Sequence, residues 1–423
     1  MQPEQKETEE SIKITFLSTD IPNKAPINLS TIKDPDKLQE YKNVLQISLN
    51  KILDAENIIV LAGSGTSLTF NTSQNHPAPS MADLWDYCKE KNARVFNEIE
   101  TYTNYNDFAE KWTDKQGQEH ISKDIELLLS RCDTFLSLQN LSTHRLQQLK
   151  KFIKDAKLEI LKQTNFTGKI SDPKNWEHHN KLLRVLGKRQ PKQKRLKLFT
   201  TNYDLAFETA ASNTGMIVID GFEYGRPYRF NPAWFHYDIV HKTQASDKAN
   251  SYLSNVFHLY KIHGSVDWLR TEQGIQKRIS DSQEGEPVII YPSSTKYQTS
   301  YESPYLDMMS SFLEAVQKPK TAILCLGFGF NDKHINNAIT MALRTNPELL
   351  LMVSTRSFFD EKGSFNKDIR ELLKKAVAAG DSRITLIDCD FATFVEQLPE
   401  RNKPTPEEQI LQFFQKFNTG ENK

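Results

Sequence analysis

The chain has 423 residues, of which 38% are hydrophobic and 10% aromatic, so it can build a sizeable core and two or three domains. Lysine plus arginine and aspartate plus glutamate number 54 each, which excludes a global field that would draw the protein to nucleic acid or acidic membranes. No apolar run approaches the roughly 18 to 20 residues of a membrane span, and the Glu-rich start is unlike a signal peptide. We therefore expect a globular, cytoplasmic protein.

The first 35 residues are polar and interrupted by proline, and only Ile12 to Leu17 is typical of a strand. We expect residues 1–35 to form a weakly ordered arm or an extension that binds a partner. From Asp36 onward, apolar residues recur at spacings of three and four through Ile52, which predicts an amphipathic helix.

An apolar run, Ile58 to Leu61, breaks abruptly into Ala62-Gly63-Ser64-Gly65-Thr66-Ser67. The run is typical of a central parallel strand covered on both faces. Gly63 and Gly65 allow backbone angles closed to other residues, and the hydroxyls and amides around them suit phosphate oxygens, so the pattern favours a nucleotide-binding turn. Neither the Walker loop nor the dinucleotide fingerprint is satisfied. A glycine-rich turn that binds nothing is the alternative.

Residues 81–190 are dominated by helical periodicity, notably from Ile121 to Leu136, which predicts an all-helical insert. The insert ends in the basic stretch Lys181 to Lys197, which holds eight lysines and arginines and no acid. This stretch is either a solvated connector or a patch that meets phosphate or an acidic partner.

The α/β pattern resumes with the strand Leu196 to Thr200, followed by Thr201-Asn202-Tyr203-Asp204 and a helical run, Leu205 to Ala211. Further apolar runs predict strands at Met216–Ile219, Phe257–Ile262, Val288–Tyr291, Thr321–Leu326, Leu349–Val353 and Ile384–Ile387. Helical patterns separate several of them, so we expect an α/β fold with a doubly wound, mostly parallel, Rossmann-like sheet.

Four polar clusters follow predicted strands of this sheet. They are Gly63 to Ser67, Thr201 to Asp204, His263-Gly264-Ser265, and Gly327-Phe328-Gly329-Phe330-Asn331-Asp332. Ligands of doubly wound sheets lie beyond the carboxyl ends of the strands, so the four clusters are predicted to share one cleft.

Each cluster also has a purely structural interpretation. Asp204 and Asp332 are each placed to cap the helix that follows, and Asn202 is placed to form an Asx turn. His263 is compatible with a core histidine bonded to a carbonyl, although a His followed by Gly and Ser at a strand end favours chemistry. The glycines of the fourth cluster are compatible with a simple turn.

These motifs, in this order, resemble the sirtuin family, and more closely the sirtuin-like NAD-consuming domains of prokaryotic antiviral defence proteins. Gly63 to Ser67 resembles the Gly-Ala-Gly-x-Ser loop, Thr200 to Asp204 resembles the Thr-Gln-Asn-x-Asp strand end, and His263-Gly264 resembles the catalytic His-Gly. Gly327 to Asp332 resembles the later glycine loop beside the nicotinamide ribose. The resemblance covers roughly residues 57 to 68 and 196 to 398.

The chain departs from the deacylating sirtuins in three places. It has no pair of Cys-x-x-Cys motifs, the segment Leu68 to Thr72 stands where the family has Asp-Phe-Arg, and Thr201 stands where the family usually has Gln. Cys88, Cys132, Cys325 and Cys389 are scattered, as expected of reduced thiols, so we expect no metal. In the defence proteins a helical region commonly replaces the zinc module, in agreement with the predicted insert.

The resemblance implies an NAD hydrolase that releases nicotinamide and ADP-ribose. Asn202 suits the positioning of the ribose, because an amide both donates and accepts, and His263 suits proton transfer. The implied NAD-binding residues are Ala62, Gly63, Ser64, Gly65, Thr66, Ser67, Thr201, Asp204, Gly327, Gly329, Phe330, Asn331 and Asp332. The alternatives are a module that senses NAD or ADP-ribose without turnover, and a protein ADP-ribosyltransferase or deacylase.

The expected domain organisation follows from these patterns. A sirtuin-like catalytic domain is formed by residues 36–80 and 191–400, the helical insert occupies residues 81–190, and residues 401–423 form a C-terminal helix or tail. Related defence systems pair such a subunit with a HerA-type hexameric ATPase. We therefore expect a homo-oligomer that docks on such a ring and depletes NAD in antiviral defence.

Overall fold

A nine-stranded, mostly parallel sheet forms the centre of the molecule. The computed structural model describes residues 13–113, 117–138, 141–189, 193–240, 252–280, 283–289, 303–361, 363 and 365–399. The strands are β1 (Thr15–Leu17), β2 (Ile27–Asn28), β3 (Asn57–Ala62), β4 (Lys111–Thr113), β5 (Glu119–Ile121), β6 (Lys197–Thr200), β7 (Ile217–Ile219), β8 (Val256–Lys261), β9 (Gly264–Thr271), β10 (Gly274–Lys277), β11 (Glu286–Ile289), β12 (Thr321–Leu326), β13 (Leu350–Ser354) and β14 (Ile384–Asp388).

Helices flank this sheet and build the insert. They are α1 (Pro35–Leu53), α2 (Ser64–Ser67), α3 (Met81–Lys91), α4 (Phe96–Tyr102), α5 (Tyr105–Phe108), α6 (Ile125–Leu138), α7 (Thr143–Thr164), α8 (Glu177–Gly187), α9 (Ala206–Thr214), α10 (Tyr305–Gln317), α11 (Lys333–Thr345), α12 (Lys367–Ala378) and α13 (Phe391–Glu396). Helix α1 begins at the N-cap Asp34, whose side chain accepts from the backbone of Asp36 and Lys37, as expected of an N-cap.

The sheet order is β2-β1-β14-β13-β12-β3-β6-β8-β7. Every pair from β14 to β7 is parallel, whereas β1 pairs antiparallel with β14 and with β2. Strand β3 is the first parallel strand in the chain. Strands β6 and β8 follow on one side of it, and β12 pairs with its other side. The strand order therefore reverses between β3 and β12, as in a doubly wound sheet.

Two hydrophobic cores cover the two faces of this sheet. Along β3, Ile59 and Leu61 pack into the first core, beneath α10, α11 and α12. Ile58, Val60 and Ala62 pack into the second core with α1, α8 and α9. Successive strand residues point to opposite faces, so a strand covered on both sides must be apolar throughout. The predicted α/β, doubly wound fold is confirmed.

The strand predicted within Ile12 to Leu17 is present as β1, so the expectation of a weakly ordered arm is wrong from residue 13 onward. Partner binding by this segment stays a prediction. Strand β1 pairs with β14, the outermost parallel strand, and β2 pairs with β1 at the edge of the sheet. Ile14 and Phe16 are fully buried, and Leu29 is also buried. Apolar side chains that alternate along the chain give this otherwise polar segment a face to bury. Residues 1–12 lie outside the described residues.

The insert differs from the prediction at two places. It is not all-helical, because β4 and β5 form a two-stranded antiparallel hairpin. Its end was placed too late, because α8 buries Leu182 and Leu183 in the second core beneath the sheet. The insert has its own hydrophobic core, formed mainly by α3, α4, α6 and α7.

Several members of the basic stretch Lys181 to Lys197 bond within the chain. The Arg189 guanidinium is buried and donates to the carbonyl oxygens of Ala55 and Glu56, at 2.7 and 3.1 Å. Arg195 binds Asp238 through two nitrogens, at 2.9 and 3.0 Å. These contacts give Arg189 and Arg195 a structural role, but the buried Arg189 does not fit the predicted solvated connector. Binding of phosphate or an acidic partner stays a prediction. Residues 190–192 lie outside the described residues.

A second, three-stranded antiparallel sheet follows β8 directly. Its order is β10-β9-β11. The run predicted as a strand from Val288 therefore belongs to this small sheet rather than to the main one, and residues 290 and 291 lie outside the described residues. Residues 401–423, predicted as a helix or tail, also lie outside them. Within the described ranges, each helix is too short or too polar to cross a membrane.

Candidate active site

The four predicted strand ends lie side by side. β12, β3, β6 and β8 are consecutive neighbours in the sheet and run parallel, so their carboxyl ends meet at one edge. The edge contains the point where the strand order reverses, which is where doubly wound sheets bind ligands. Asn202, His263 and the two glycine loops are thus brought together.

His263 and Asp332 form a buried pair at this edge. The Nε2 atom of His263 lies 3.0 Å from Oδ2 of Asp332, and the two side chains are 5% and 3% exposed. Burial alone would lower the pKa of His263, but the hydrogen bond and charge of Asp332, with the charge of Glu126, outweigh burial and raise it. Burial would raise the pKa of Asp332, but His263 lowers it. Each partner therefore favours the charged form of the other.

Asp332 also caps helix α11. Its other oxygen, Oδ1, accepts from the backbone of His334 and Ile335 at 2.8 and 3.1 Å. The capping role predicted for Asp332 is therefore confirmed, and the same carboxylate holds His263. With Nε2 directed at Asp332, the Nδ1 atom of His263 has no hydrogen-bond partner among the described residues.

Asn202 joins the end of β6 to the first glycine loop. Its amide nitrogen lies 3.0 Å from the carbonyl oxygen of Gly63 and 2.8 Å from the hydroxyl of Ser67. The hydroxyl of Thr66 is 3.2 Å away. The donor side of the amide thus faces the loop. In the described part of the chain, no donor reaches the amide oxygen of Asn202.

Both carboxylate oxygens of Asp204 accept hydrogen bonds from within the protein. One carboxylate oxygen accepts from the Ser67 hydroxyl at 2.6 Å, and the other accepts from the backbone of Ala206 at 2.9 Å, at the start of α9. The N-cap of α9 is Leu205 and carries no side-chain cap, so the predicted capping role of Asp204 is not confirmed, although its carboxylate lies close to the helix start. Its predicted contact with a nucleotide stays a prediction.

The glycines of the two loops allow the backbone after β3 to contact the backbone after β12. Gly63 and Gly65 donate to the carbonyl oxygens of Leu326 and Gly327, both at 3.0 Å. A Cβ on Gly63 would lie 2.6 Å from the Gly327 carbonyl oxygen, and one on Gly65 would lie 2.6 Å from the Gly327 Cα. Neither position has a positive φ, and Gly63 is extended, with φ −115° and ψ −172°.

The unusual backbone angles predicted for these two glycines are therefore wrong. The close approach of two neighbouring loops requires glycine at both positions, whereas the approach of a ligand to this loop stays a prediction. Gly327 is required for two reasons, a positive φ and the close approach of the loops. Its φ is +56°, and a Cβ there would lie 2.6 Å from the Gly65 Cα. Of the loop from Gly63 to Ser67, Ser64 is the exposed member.

The remaining predicted residues lie along the same edge. Thr201 donates its backbone N–H to the carbonyl of Ala62, a residue fully buried at the end of β3. Gly329 is partly buried and Asn331 is exposed. Phe330 has φ +57° and packs on Phe328 and Phe365 with ring centroids 5.0 Å apart in each case. Its side chain therefore supports the loop from the core side.

Lys261 was missed by the sequence analysis. It is 2% exposed near the end of β8, and its ammonium contacts the carbonyl oxygens of Tyr203 and Asp204 and lies 2.9 Å from the Glu208 carboxylate. It thereby fixes the loop that carries Asn202. A lysine within an apolar strand is the signal that could have found it, because a buried lysine requires partners.

Glu126 and Tyr203 were also missed. The Tyr203 hydroxyl donates to the Glu126 carboxylate at 2.7 Å, which links the insert to the end of β6. Glu126 interacts electrostatically with both His263 and Asp332. No local signal marks Glu126, because an acid in the first turn of a helix is ordinarily explained by the helix dipole.

Among the described residues, this edge gathers no set of metal-binding side chains. In the described ranges, no group of three or more His, Cys, Asp or Glu side chains could hold an ion. Cys88, Cys132, Cys325 and Cys389 are buried and unpaired. The absence of a metal stays a prediction.

Comparison with known families agrees with this architecture. Residues 196–376 match the model of the SIR2-like domain, a range that runs from β6 into α12 and includes Asn202, His263 and Asp332. The search of curated proteins gave no match. A SIR2-like domain is compatible with NAD-related activity. Over residues 196–376 the chain is therefore similar to the SIR2-like domain.

Proposed function

We propose that the protein hydrolyses NAD at the nicotinamide N-glycosidic bond. The bond between C1′ of the ribose and the pyridinium nitrogen breaks, and its electron pair leaves with nicotinamide, which becomes neutral. Water adds its oxygen to C1′ and loses one proton, which gives ADP-ribose. The site must hold the ribose, admit one water molecule and accept one proton.

The observation that carries this proposal is the His263–Asp332 pair beside Asn202. In neutral His263, the Nε2–H group donates to Asp332, 3.0 Å away, and this fixes the tautomer in which Nδ1 carries the lone pair. Nδ1 is then the atom that accepts the proton of the attacking water. Asp332 stabilises the imidazolium that results.

Asn202 supplies the complementary contact. Because its amide nitrogen is held by Gly63 and Ser67, the amide oxygen is fixed in orientation. That oxygen accepts a hydrogen bond from a ribose hydroxyl, which restrains the sugar as C1′ becomes positive. Ser64 is exposed in the first glycine loop, and we assign its hydroxyl to a phosphate oxygen of NAD.

Product separation tests the proposal. Purified protein is incubated with NAD, and nicotinamide, ADP-ribose and remaining NAD are resolved by chromatography. Hydrolysis predicts equimolar nicotinamide and ADP-ribose. Recovery of intact NAD alongside measurable binding would instead support a sensing module, and ADP-ribose attached to protein would support a transferase.

The proposed biological setting rests on the resemblance to defence proteins. There the protein would act in the cytoplasm, as a homo-oligomer docked on a HerA-type hexameric ATPase, and would deplete NAD during infection. An unrestrained NAD hydrolase would drain its own cell, so its activity must be controlled. Control through assembly suits a chain in which the insert contacts the catalytic edge.

A further inference from the structure

The insert reaches the candidate active site through the first turn of α6. Ile125, Leu128 and Leu129 are fully buried in the core of the insert, and this core extends to Tyr203 and Val266 of the catalytic domain. The packing of α6 therefore fixes the direction of Glu126, the residue between these apolar anchors. Glu126 accepts the 2.7 Å hydrogen bond from the Tyr203 hydroxyl.

Tyr203 lies between Asn202 and Asp204, and its backbone is held as well. Its carbonyl oxygen accepts from the backbone of Val266 at 3.0 Å and from the ammonium of Lys261 at 3.3 Å. A change in the position of Glu126 is thereby communicated to the loop that presents the Asn202 amide. The contact joins residues 77 positions apart in the chain.

We propose that Glu126 is a positioning residue of the candidate active site: it anchors the Asn202 loop through Tyr203, and its charge acts on the His263–Asp332 pair. This inference rests on the proposed hydrolysis of NAD for its catalytic meaning. The insert then supplies part of the catalytic centre instead of only covering it.

The electrostatic surroundings of Glu126 support this role. The groups that act on its carboxyl are His263, Asp124, Tyr203 and Asp332. Burial raises the pKa of Glu126 to about 7, the charge of His263 and the Tyr203 hydrogen bond oppose this rise, and Asp124 and Asp332 add to it. The carboxyl therefore changes charge near neutral pH, where the proposed base works.

The charge of Glu126 has a defined effect on that base. An ionised Glu126 stabilises the imidazolium form of His263 and raises its pKa. His263 can accept a proton from water only when it is neutral. Loss of the Glu126 charge should therefore let His263 become neutral, and so competent, at lower pH.

Glu126→Gln tests the proposal, since glutamine keeps an oxygen for the Tyr203 hydroxyl and removes the charge. The full-length protein is labelled with ¹³C in its histidine rings, and the His263 signal, assigned with His263→Gln, is titrated by NMR. The expected result is a midpoint lower by about half a unit to one unit. The acid limb of nicotinamide release should move by the same amount.

Two further variants keep this test sharp. Glu90→Gln removes an exposed carboxylate on α3 of the insert and should change neither titration nor rate. Tyr203→Phe removes the hydrogen bond that lowers the pKa of Glu126, so the His263 midpoint should fall, but by less than in Glu126→Gln. This variant also serves if Glu126→Gln does not fold.

An unchanged His263 midpoint in folded Glu126→Gln and Tyr203→Phe would overturn the proposal. A fall in unfolding temperature without a change in midpoint would assign Glu126 to stability alone and would also overturn it. The NMR titration needs no turnover. Failure of the wild-type protein to release nicotinamide would therefore reject the proposed function without obscuring the result for Glu126.

Discussion

At the scale of single residues, the contributions of His263 and Asp332 to folding stability depend on pH in opposite directions. The pKa of His263 is raised, so its contribution to stability is fully present below its unfolded value of about 6.5 and is lost as pH rises through the folded value. The pKa of Asp332 is lowered, so its contribution is present above about 3.9 and is lost as pH falls through the folded value. The pair stabilises most between these limits, whereas the proposed hydrolysis requires neutral His263.

Asp332→Asn separates the two demands. Removal of the carboxylate charge should lower the pKa of His263, so the acid limb of NAD cleavage should move to lower pH. Cleavage well above the limb should also fall, because the imidazolium loses its counterion. The pH profile of kcat/KM measures both effects, and an acid limb at the wild-type position would contradict the assigned pairing.

Asn202→Ala is expected to lower both turnover and stability. The amide bonds the Gly63 carbonyl and the Ser67 hydroxyl in a buried position, so its loss should cost about 1 to 3 kcal/mol of unfolding free energy. Nicotinamide release should fall by about 10²-fold or more. Asn255→Ala, which removes a single bond to the Gly215 carbonyl, is the matched control for denaturation and rate. Equal rates in the two variants would remove Asn202 from the mechanism.

Asn202 and His263 could be predicted from the sequence because each follows an apolar strand of a parallel sheet, and such strands end at one edge. The His263–Asp332 pairing could not, since it depends on the loop after β12 folding back across the sheet. The role of Glu126 could not be predicted either, because it also depends on a tertiary contact. Glu126 reaches the site from helix α6 of the insert, whose local sequence pattern shows only an amphipathic stripe.

At the scale of elements, the close packing of the two glycine loops holds the ends of β3 and β12 together. Gly327→Ala should destabilise the protein by about 2 to 4 kcal/mol, because its φ is +56° and its Cβ would meet the Gly65 backbone. Gly215→Ala is the matched control, as it has φ +65° with nothing within 4 Å of the added Cβ. It should cost only about 1 kcal/mol. Equal losses on urea denaturation would show that the close approach of the loops is unimportant.

Apolar runs predicted the main strands well, and β12 lies where the sequence placed it, from Thr321 to Leu326. The small sheet was not predicted, because its central strand β9 mixes charged and apolar residues. The backbone conformation at the start of β9 also depends on Gly264. That glycine has φ +90°, and a Cβ there would overlap the Val288 carbonyl oxygen. Helix α8 was assigned to the insert because periodicity reveals that a helix has a buried face but not which core receives it.

At the scale of the whole molecule, the mainly helical insert lies against the candidate active site, where Glu126 contacts Tyr203. If assembly controls activity, the protein should elute as a homo-oligomer, and addition of a HerA-type ATPase should change the rate of NAD loss. Size-exclusion chromatography with light scattering, combined with an NAD assay with and without the ATPase, measures both. A fully active monomer that no partner affects would contradict this proposal.

Nicotinamide release by the wild-type chain and by His263→Ala tests the central claim most directly. Both proteins are first shown to have the same circular dichroism and oligomeric state, and their initial rates are then measured at saturating NAD above the acid limb. Loss of the general base should lower the rate by about 10² to 10⁴, which corresponds to about 3 to 5 kcal/mol of barrier. Near-wild-type release of nicotinamide by His263→Ala would contradict the assignment of His263 as the catalytic base.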